Sequence, residues 1–234
     1  MQFPLVPADS VGWLTPAQMR EVDRVMVDDL GIQIIQIMEN AGLNLARLAL
    51  SRYETTSPVV VVGSGGNGGG GLVAARHLAV AGQGVRVLLA SPRDSFKALS
   101  AHQFDIVDRM GIPIVTEVPE DADLFIDAVI GFSLTGPPQG RAGEVIFAMD
   151  AAPIPVLSLD TPSGLDPATG TAFDPYVGAD ATLTLALPKV GLRTHHAVGD
   201  LFVANLSIPN SIYESMGVGP GPDFSESTII ELLL

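Results

Sequence analysis

Three segments of this sequence carry residues able to do chemistry, and each stands where an apolar run ends. Asp127 interrupts Phe125-Ile126-Asp127-Ala128-Val129-Ile130-Gly131. A carboxylate in such company is costly alone, so it must meet either a cation or several hydrogen-bond donors, and both readings stay open. Asp160 follows the apolar Val156–Leu159 and leads into Thr161-Pro162-Ser163-Gly164-Leu165-Asp166. A carboxylate at the end of a strand, beside a Pro-Ser-Gly turn, is placed to give and take protons. Ser163 stands outside any G-x-S-x-G elbow and is not expected to be a hydrolase nucleophile.

The third segment, Gly63-Ser64-Gly65-Gly66-Asn67-Gly68, fits G-x-G-x-x-G directly after the β-branched run Pro58–Val62. Glycines admit a phosphate close to the backbone, and a helix start offers unpaired N–H groups to it. Six of the seven residues from Gly65 to Gly71 are glycine, an entropic cost that a bare turn does not require. An ordinary dinucleotide-binding domain would follow with an acidic residue at the end of the next strand. Here that strand ends Leu88-Leu89-Ala90-Ser91-Pro92-Arg93, with no carboxylate. Arg93 could serve a 2′-phosphate, which leaves an NADP-dependent oxidoreductase as one reading.

These segments need elements to position them. Thr15-Pro16 predicts a helix start, with an amphipathic stripe ending at Gly31, and a second helix is expected over roughly Gln33–Arg52. Strands are expected at Pro58–Val62, Val85–Ala90, Ile112–Val115, Leu124–Ile130, Val156–Leu159, Thr182–Leu187 and Leu201–Leu206. Helices fall between them at Leu72–Ala81, Phe96–Met110 and Gly143–Met149. Continuously apolar strands alternating with helices mean a mostly parallel sheet covered on both faces, with ligands bound beyond the carboxyl ends of the strands. The stretch Gly217–Asp223 reads as loosely held, and His195-His196 as loop residues without metal-ligand spacing.

Composition narrows the function. The 234 residues, 47% hydrophobic and 16% charged, suit one globular domain over 1–234. A net charge of −14 argues against a nucleic-acid partner. No apolar run is long enough to cross a membrane, no signal peptide is expected, and a cytoplasmic location follows as the default. The absence of cysteine excludes disulfides and thiolate metal sites.

Taken in order, Met38-Glu39-Asn40-Ala41-Gly42, the glycine loop, Asp127–Gly131, Ser158–Asp166 and Leu187-Pro188-Lys189-Val190-Gly191-Leu192 resemble the NAD(P)H-hydrate epimerases, the YjeF N-terminal domain family, over about residues 15–213. The resemblance implies a Rossmann-like three-layer α/β/α sandwich with two extra N-terminal helices, usually dimeric. It implies epimerisation of hydrated NADH and NADPH at C6 of the nicotinamide ring, so the partner is a small phosphorylated nucleotide. It assigns a potassium ion to Asn67, Asp127 and Ser163. It assigns substrate contacts to Gly66, Asn67, Gly68, Gly69 and Gly70, to Gly131, Phe132, Ser133, Leu134, Thr135, Gly136 and Pro137, and to Asp160, with Asp160 as the proton-transfer group. Lys189 orients Asp160, meets a phosphate, or is a surface lysine after a strand. The family's loop reads G-x-G-N-N-G-G-D-G; Gly66 replaces its first asparagine and Gly70 its aspartate. That departure keeps open a divergent, non-catalytic binding module of the same fold.

Overall fold

The computed structural model describes residues 3–193 and 196–234. One sheet of nine strands runs through it: β1 (Leu5–Pro7), β2 (Pro58–Val62), β3 (Arg86–Leu89), β4 (Ile114–Val115), β5 (Leu124–Ala128), β6 (Val156–Leu159), β7 (Ala181–Leu185), β8 (Asp200–Ala204) and β9 (Ile229–Leu233), in the order β1-β9-β8-β7-β6-β5-β2-β3-β4. Every pairing is parallel except β8 with β9. The α-helices are α1 (Pro16–Arg24), α2 (Ile34–Arg52), α3 (Gly66–Val80), α4 (Ala98–Arg109), α5 (Gly140–Ala151) and α6 (Asn210–Ser215).

The strands are apolar throughout because both faces are covered. Val60 and Val62 of β2 point into a core with Leu45 and Leu48 of α2, Leu72 of α3 and Phe104 of α4. Val59 and Val61, one residue out of step, point to the other face with Phe125 and with Val145, Ile146 and Met149 of α5. The period-two alternation of a strand thus feeds two helical layers, giving the α/β/α sandwich expected from the alternating pattern.

The two N-terminal helices form as expected. Thr15 and Gln18 make a capping box, with Gln18 N–H on Thr15 Oγ1 (3.2 Å) and Thr15 N–H on Gln18 Oε1 (2.9 Å). From Val25 to Asp29 the turn widens to a π-helix before Gly31, at φ +71°, stops it. The segment also enters the sheet region: Leu14 bridges Lys189, through Leu14 N–H to Pro188 O (2.8 Å) and Val190 N–H to Leu14 O (3.0 Å).

Three readings need correction. The helix expected from Leu72 begins at Gly66, so most of the glycine stretch is helix rather than loop. Its glycines make room: a Cβ on Gly71 would lie 2.5 Å from Ala128 Cβ, one on Gly69 2.6 Å from the Met38 side chain, and one on Gly42 of the facing helix 2.4 Å from Val73 Cβ. Gly217–Asp223 is not loose, since Pro220 O accepts from Gly12 N–H (2.8 Å) and Gly221 N–H is held by Asn210 Oδ1 (3.0 Å). The strands β1 and β9 lie outside those expected; β1, with three residues, is too short to show a period, and β9 runs Ile229-Ile230-Glu231-Leu232-Leu233 without strict alternation. His195 lies outside the described residues, while His196 opens a short 3-10 turn beside Tyr176. Among the described residues no helix is long and apolar enough to cross a membrane.

The glycines of α3 separate into two kinds, and substitution distinguishes them. A Cβ at Gly68 would lie 1.8 Å from the backbone oxygen of Gly63, whereas one at Gly66 meets nothing within 4 Å. Gly68→Ala is therefore expected to lower the Tm steeply or prevent folding. Gly66→Ala should leave the Tm unchanged or slightly raised, since glycine costs up to about 1 kcal/mol in a helix. Thermal unfolding followed by circular dichroism checks both; equal effects would overturn the distinction.

Candidate active site

A cavity of about 290 Å³ opens at the carboxyl ends of β6 and β7, between the start of α3 and the two N-terminal helices. Leu159, Asp160 and Leu185 line it from the sheet edge, Met19 and Asp23 from α1, and Ile34, Ile37 and Met38 from α2. An adjoining, more open pocket of about 410 Å³ runs along Ser133–Gln139, with Ser133 common to both.

Asp160 is 2% exposed and adopts φ +69°, a left-handed conformation that aspartate tolerates better than most residues. The turn of the chain there carries the carboxylate away from the sheet and into the cavity. Oδ1 is ion-paired with Lys189 Nζ and receives Leu185 N–H at 3.4 Å. Oδ2 receives Phe132 N–H at 3.1 Å. Lys189 is itself fully buried and also donates to Leu185 O (2.7 Å), so its charge is paired and its other donors are directed. Of the three readings of Lys189, the structure selects orientation of Asp160. It is neither a surface lysine nor, standing behind Asp160, part of the cavity lining.

Asp127 lies beneath this floor, fully buried. Oδ1 accepts Ser163 Oγ–H (2.6 Å) and Val129 N–H (3.2 Å); Oδ2 accepts Ser163 N–H (2.8 Å) and Ser158 Oγ–H (2.9 Å). Burial pushes its pKa up, and the four hydrogen bonds pull against that. Ser163 Oγ in turn accepts Ile130 N–H at 2.9 Å. Asp127 thus meets several donors, and the carboxylate ties the end of β5 to β6 and to the turn after it.

Asn67 stands at the second turn-facing position of α3 and lines the cavity; its side chain and Asp160 Oδ2 both lie about one atom's width from where a Cβ on Gly131 would be, at 3.2 and 3.1 Å. Its Nδ2 is buried without a hydrogen-bond partner, as is Thr161 Oγ1. Turning the Asn67 amide over would present an oxygen in place of that unspent donor. The carboxylate, hydroxyl and amide oxygens of Asp127, Ser163 and Asn67 are hard donors of the kind an alkali cation takes, so the residues fit such an ion. Gly69 N–H bonds Gly65 O (3.1 Å) as the first turn closes, which leaves the N–H groups of Gly66, Asn67 and Gly68 without helical partners. Lys97, just before α4, also lines the cavity and forms no ion pair among the described residues.

The cavity thus gathers Gly66, Asn67, Gly70, Gly131, Phe132, Ser133 and Asp160 from the residues singled out in the sequence. Leu134, Thr135, Gly136 and Pro137 line the adjoining pocket instead. Gly68 and Gly69 are buried inside helix packing, and their positions are not among those lining the cavity. Gly66 is exposed at the mouth and Gly70 sits on Leu159, so both positions that depart from the glycine-loop pattern enlarge the cavity. Arg93 is turned to Asp105 and Asp108 and stacks over Phe104. Sequence reading missed Asp23 and Lys97. A lone acid on an exposed-looking helix turn, and a lysine in a loop, carry no signal until the helices are docked.

The model of the YjeF-related protein N-terminus family matches residues 34–191. The chain is 39% identical over 225 residues to an NAD(P)H-hydrate epimerase of Dehalogenimonas lykanthroporepellens, covering 93% of this chain and 91% of the relative. It is 39% identical over 186 residues to an NAD(P)H-hydrate epimerase of Limosilactobacillus fermentum, covering 77% and 88%. The fold is shared with the crystal structure of yeast ynu0, at a TM-score of 0.77 and 24% identity over 94% of this chain and 99% of that one.

The Lys189–Asp160 pair is the most deeply desolvated ion pair among those described, with side chains 0% and 3% exposed. Removing one partner strands the other charge, so Lys189→Met should cost about 3–5 kcal/mol in urea unfolding. Lys189→Met combined with Asp160→Asn should cost less than the sum of the two single changes by about 1–3 kcal/mol. Additive losses would mean that the two groups do not support one another.

Proposed function

The chain belongs to the YjeF-related N-terminal family, and from that membership we propose that it epimerises hydrated NADH and NADPH at C6 of the nicotinamide ring. Two relatives, each 39% identical over 93% and 77% of this chain, are NAD(P)H-hydrate epimerases. The observation that carries the reading is Asp160: a carboxylate held by a buried lysine, with one oxygen turned into a cavity at the carboxyl edge of the sheet.

Epimerising C6 means breaking and remaking a bond at a carbinolamine carbon, by ring opening or by loss and return of water. Either route needs a group that gives and takes a proton within hydrogen-bond reach. Asp160 Oδ2 is that group. Its partner oxygen is anchored by Lys189, and Phe132 N–H sets its direction. The apolar side chains of Ile34, Ile37 and Met38 limit water around the ring. The cavity accepts the nicotinamide end of the substrate. The remainder lies along Leu134–Pro137, with its phosphates toward the free N–H groups of α3 and the ammonium of Lys97.

The same reading includes potassium, held by Asn67, Asp127 and Ser163. The ion would supply fixed positive charge beside a buried carboxylate and toward the substrate's phosphates. It further includes a cytoplasmic homodimer, which sedimentation at equilibrium would test.

Two outcomes follow. Asp160→Asn should bind NADPH as wild type does yet interconvert the epimers about 10²–10⁴-fold more slowly, followed by chromatographic separation of the two. Near-full activity would remove Asp160 from the chemistry, and an inactive wild type would overturn the proposed function. For the cation, the Tm in potassium chloride should exceed that in sodium or tetramethylammonium chloride at equal ionic strength, because a ligand that binds only the folded state stabilises it. Asn67→Leu should abolish the difference; equal Tm values in all three salts would exclude the ion.

A further inference from the structure

Besides Asp160, one other carboxyl group lines the cavity: Asp23, on the last turn of α1. It is half-buried, accepts no hydrogen bond and forms no ion pair among the described residues. Arg24, next to it on the helix, turns outward to Glu21 and Asp29, and Arg20, one turn earlier, forms no ion pair among the described residues. A carboxyl that loses water and gains no donor weakens the fold, and nothing in the packing of α1 uses it. The helix is bound to the sheet through Met19 and Val22, with Leu14, Leu187 and Tyr213 in the same cluster.

We propose that Asp23 is a second proton-transfer group, working on the nicotinamide ring from the helical wall of the cavity while Asp160 works from the sheet edge. This rests on the epimerase reading. Inversion at C6 needs access to both faces of one carbon, and the two carboxyls belong to different walls. In one direction the C6–O bond breaks with its electron pair, and the Asp23 carboxyl proton passes to the departing oxygen to form water. The positive charge left across C6 and the ring nitrogen faces the Asp160 carboxylate. Water then adds to the opposite face, and its proton passes to Asp160. The reverse direction exchanges the two roles. No electrons enter or leave, and the two carboxyls together hold one proton before and after.

The surroundings suit this division. Asp160 is ion-paired with Lys189, whereas Asp23 is unpaired, and burial pushes its pKa up to about 6. Lys189 opposes that rise and Asp160 adds to it; Lys97 is the other charged group lining the cavity, and α2 presents only apolar side chains to it. Two carboxyls whose environments differ in this way commonly divide acid and base work.

The sign of the stability effect gives an independent readout. A carboxyl raised in the folded state leaves stability intact below its unfolded value, and that stability is lost as the pH rises through about 6. Asp23→Asn should therefore raise the Tm above pH 6 and leave it unchanged at pH 4. In the epimerisation assay the same variant should lose about 10²–10⁴-fold in kcat, with KM within about threefold. It should also lose the fall in rate that the wild type shows as its acid group deprotonates. A variant more stable and yet far slower is what a functional carboxyl leaves behind. Asp23→Asn that keeps its rate and pH profile, beside an active wild type, overturns the role of Asp23 alone. A wild type that converts neither epimer overturns this proposal together with the epimerase reading.

Discussion

The buried pairing of Lys189 with Asp160 is the interaction on which the site depends. Each charge would be prohibitively costly alone in that position, and each makes the other tolerable. The pair does more than fix one carboxylate. Lys189 sits in the loop after β7, and its backbone neighbours bond Leu14, the residue that delivers the chain into α1. The same short segment therefore orients the carboxylate on the sheet edge and docks the helix that roofs the cavity. The left-handed backbone at Asp160 belongs to this arrangement, in which the side chain meets the lysine and lines the cavity.

A second constraint is steric. The start of α3 is pressed between α2 and the strands β2 and β5, at distances that leave no room for Cβ atoms at Gly42, Gly68 or Gly71. That closeness lets the first turn of α3 reach the edge of the sheet, where Gly66 and Asn67 line the cavity together with Asp160. Beneath both, Asp127 takes four hydrogen bonds and holds the ends of β5 and β6 to the turn carrying Ser163. Packing and chemistry meet in one helix start: Gly66 is open at the cavity mouth, and Gly68, Gly69 and Gly71 close the core behind it.

Much of this was legible in the residues alone. The apolar strands between helical stripes gave the two-faced parallel sheet, since a strand apolar on both sides has no other stable setting. Thr15-Pro16 and Gly31 bounded the first helical segment through capping chemistry, which is local. Asp127, Asp160 and Asn67 stood out because charged or amide groups in apolar company need a reason, and the order of the motifs carried the family. The boundary of α3 was misread because glycine propensity argues against a helix, and tertiary crowding overrode it.

What the sequence by itself determined, then, was whatever depends on neighbours along the chain: the periods of strands and helices, the caps, the oddity of a carboxylate after Leu159. The tertiary structure decided whatever depends on approach between segments distant in sequence. It gathered four hydrogen bonds around Asp127, turned Lys189 from a residue of three possible roles into the partner of Asp160, and sent Gly68 and Gly69 into packing. It brought Asp23, more than a hundred residues from Asp160 in the chain, to the lining of the same cavity. Burial and pairing are properties of the assembled core, and the energy of a charge is set by what surrounds it rather than by what precedes it.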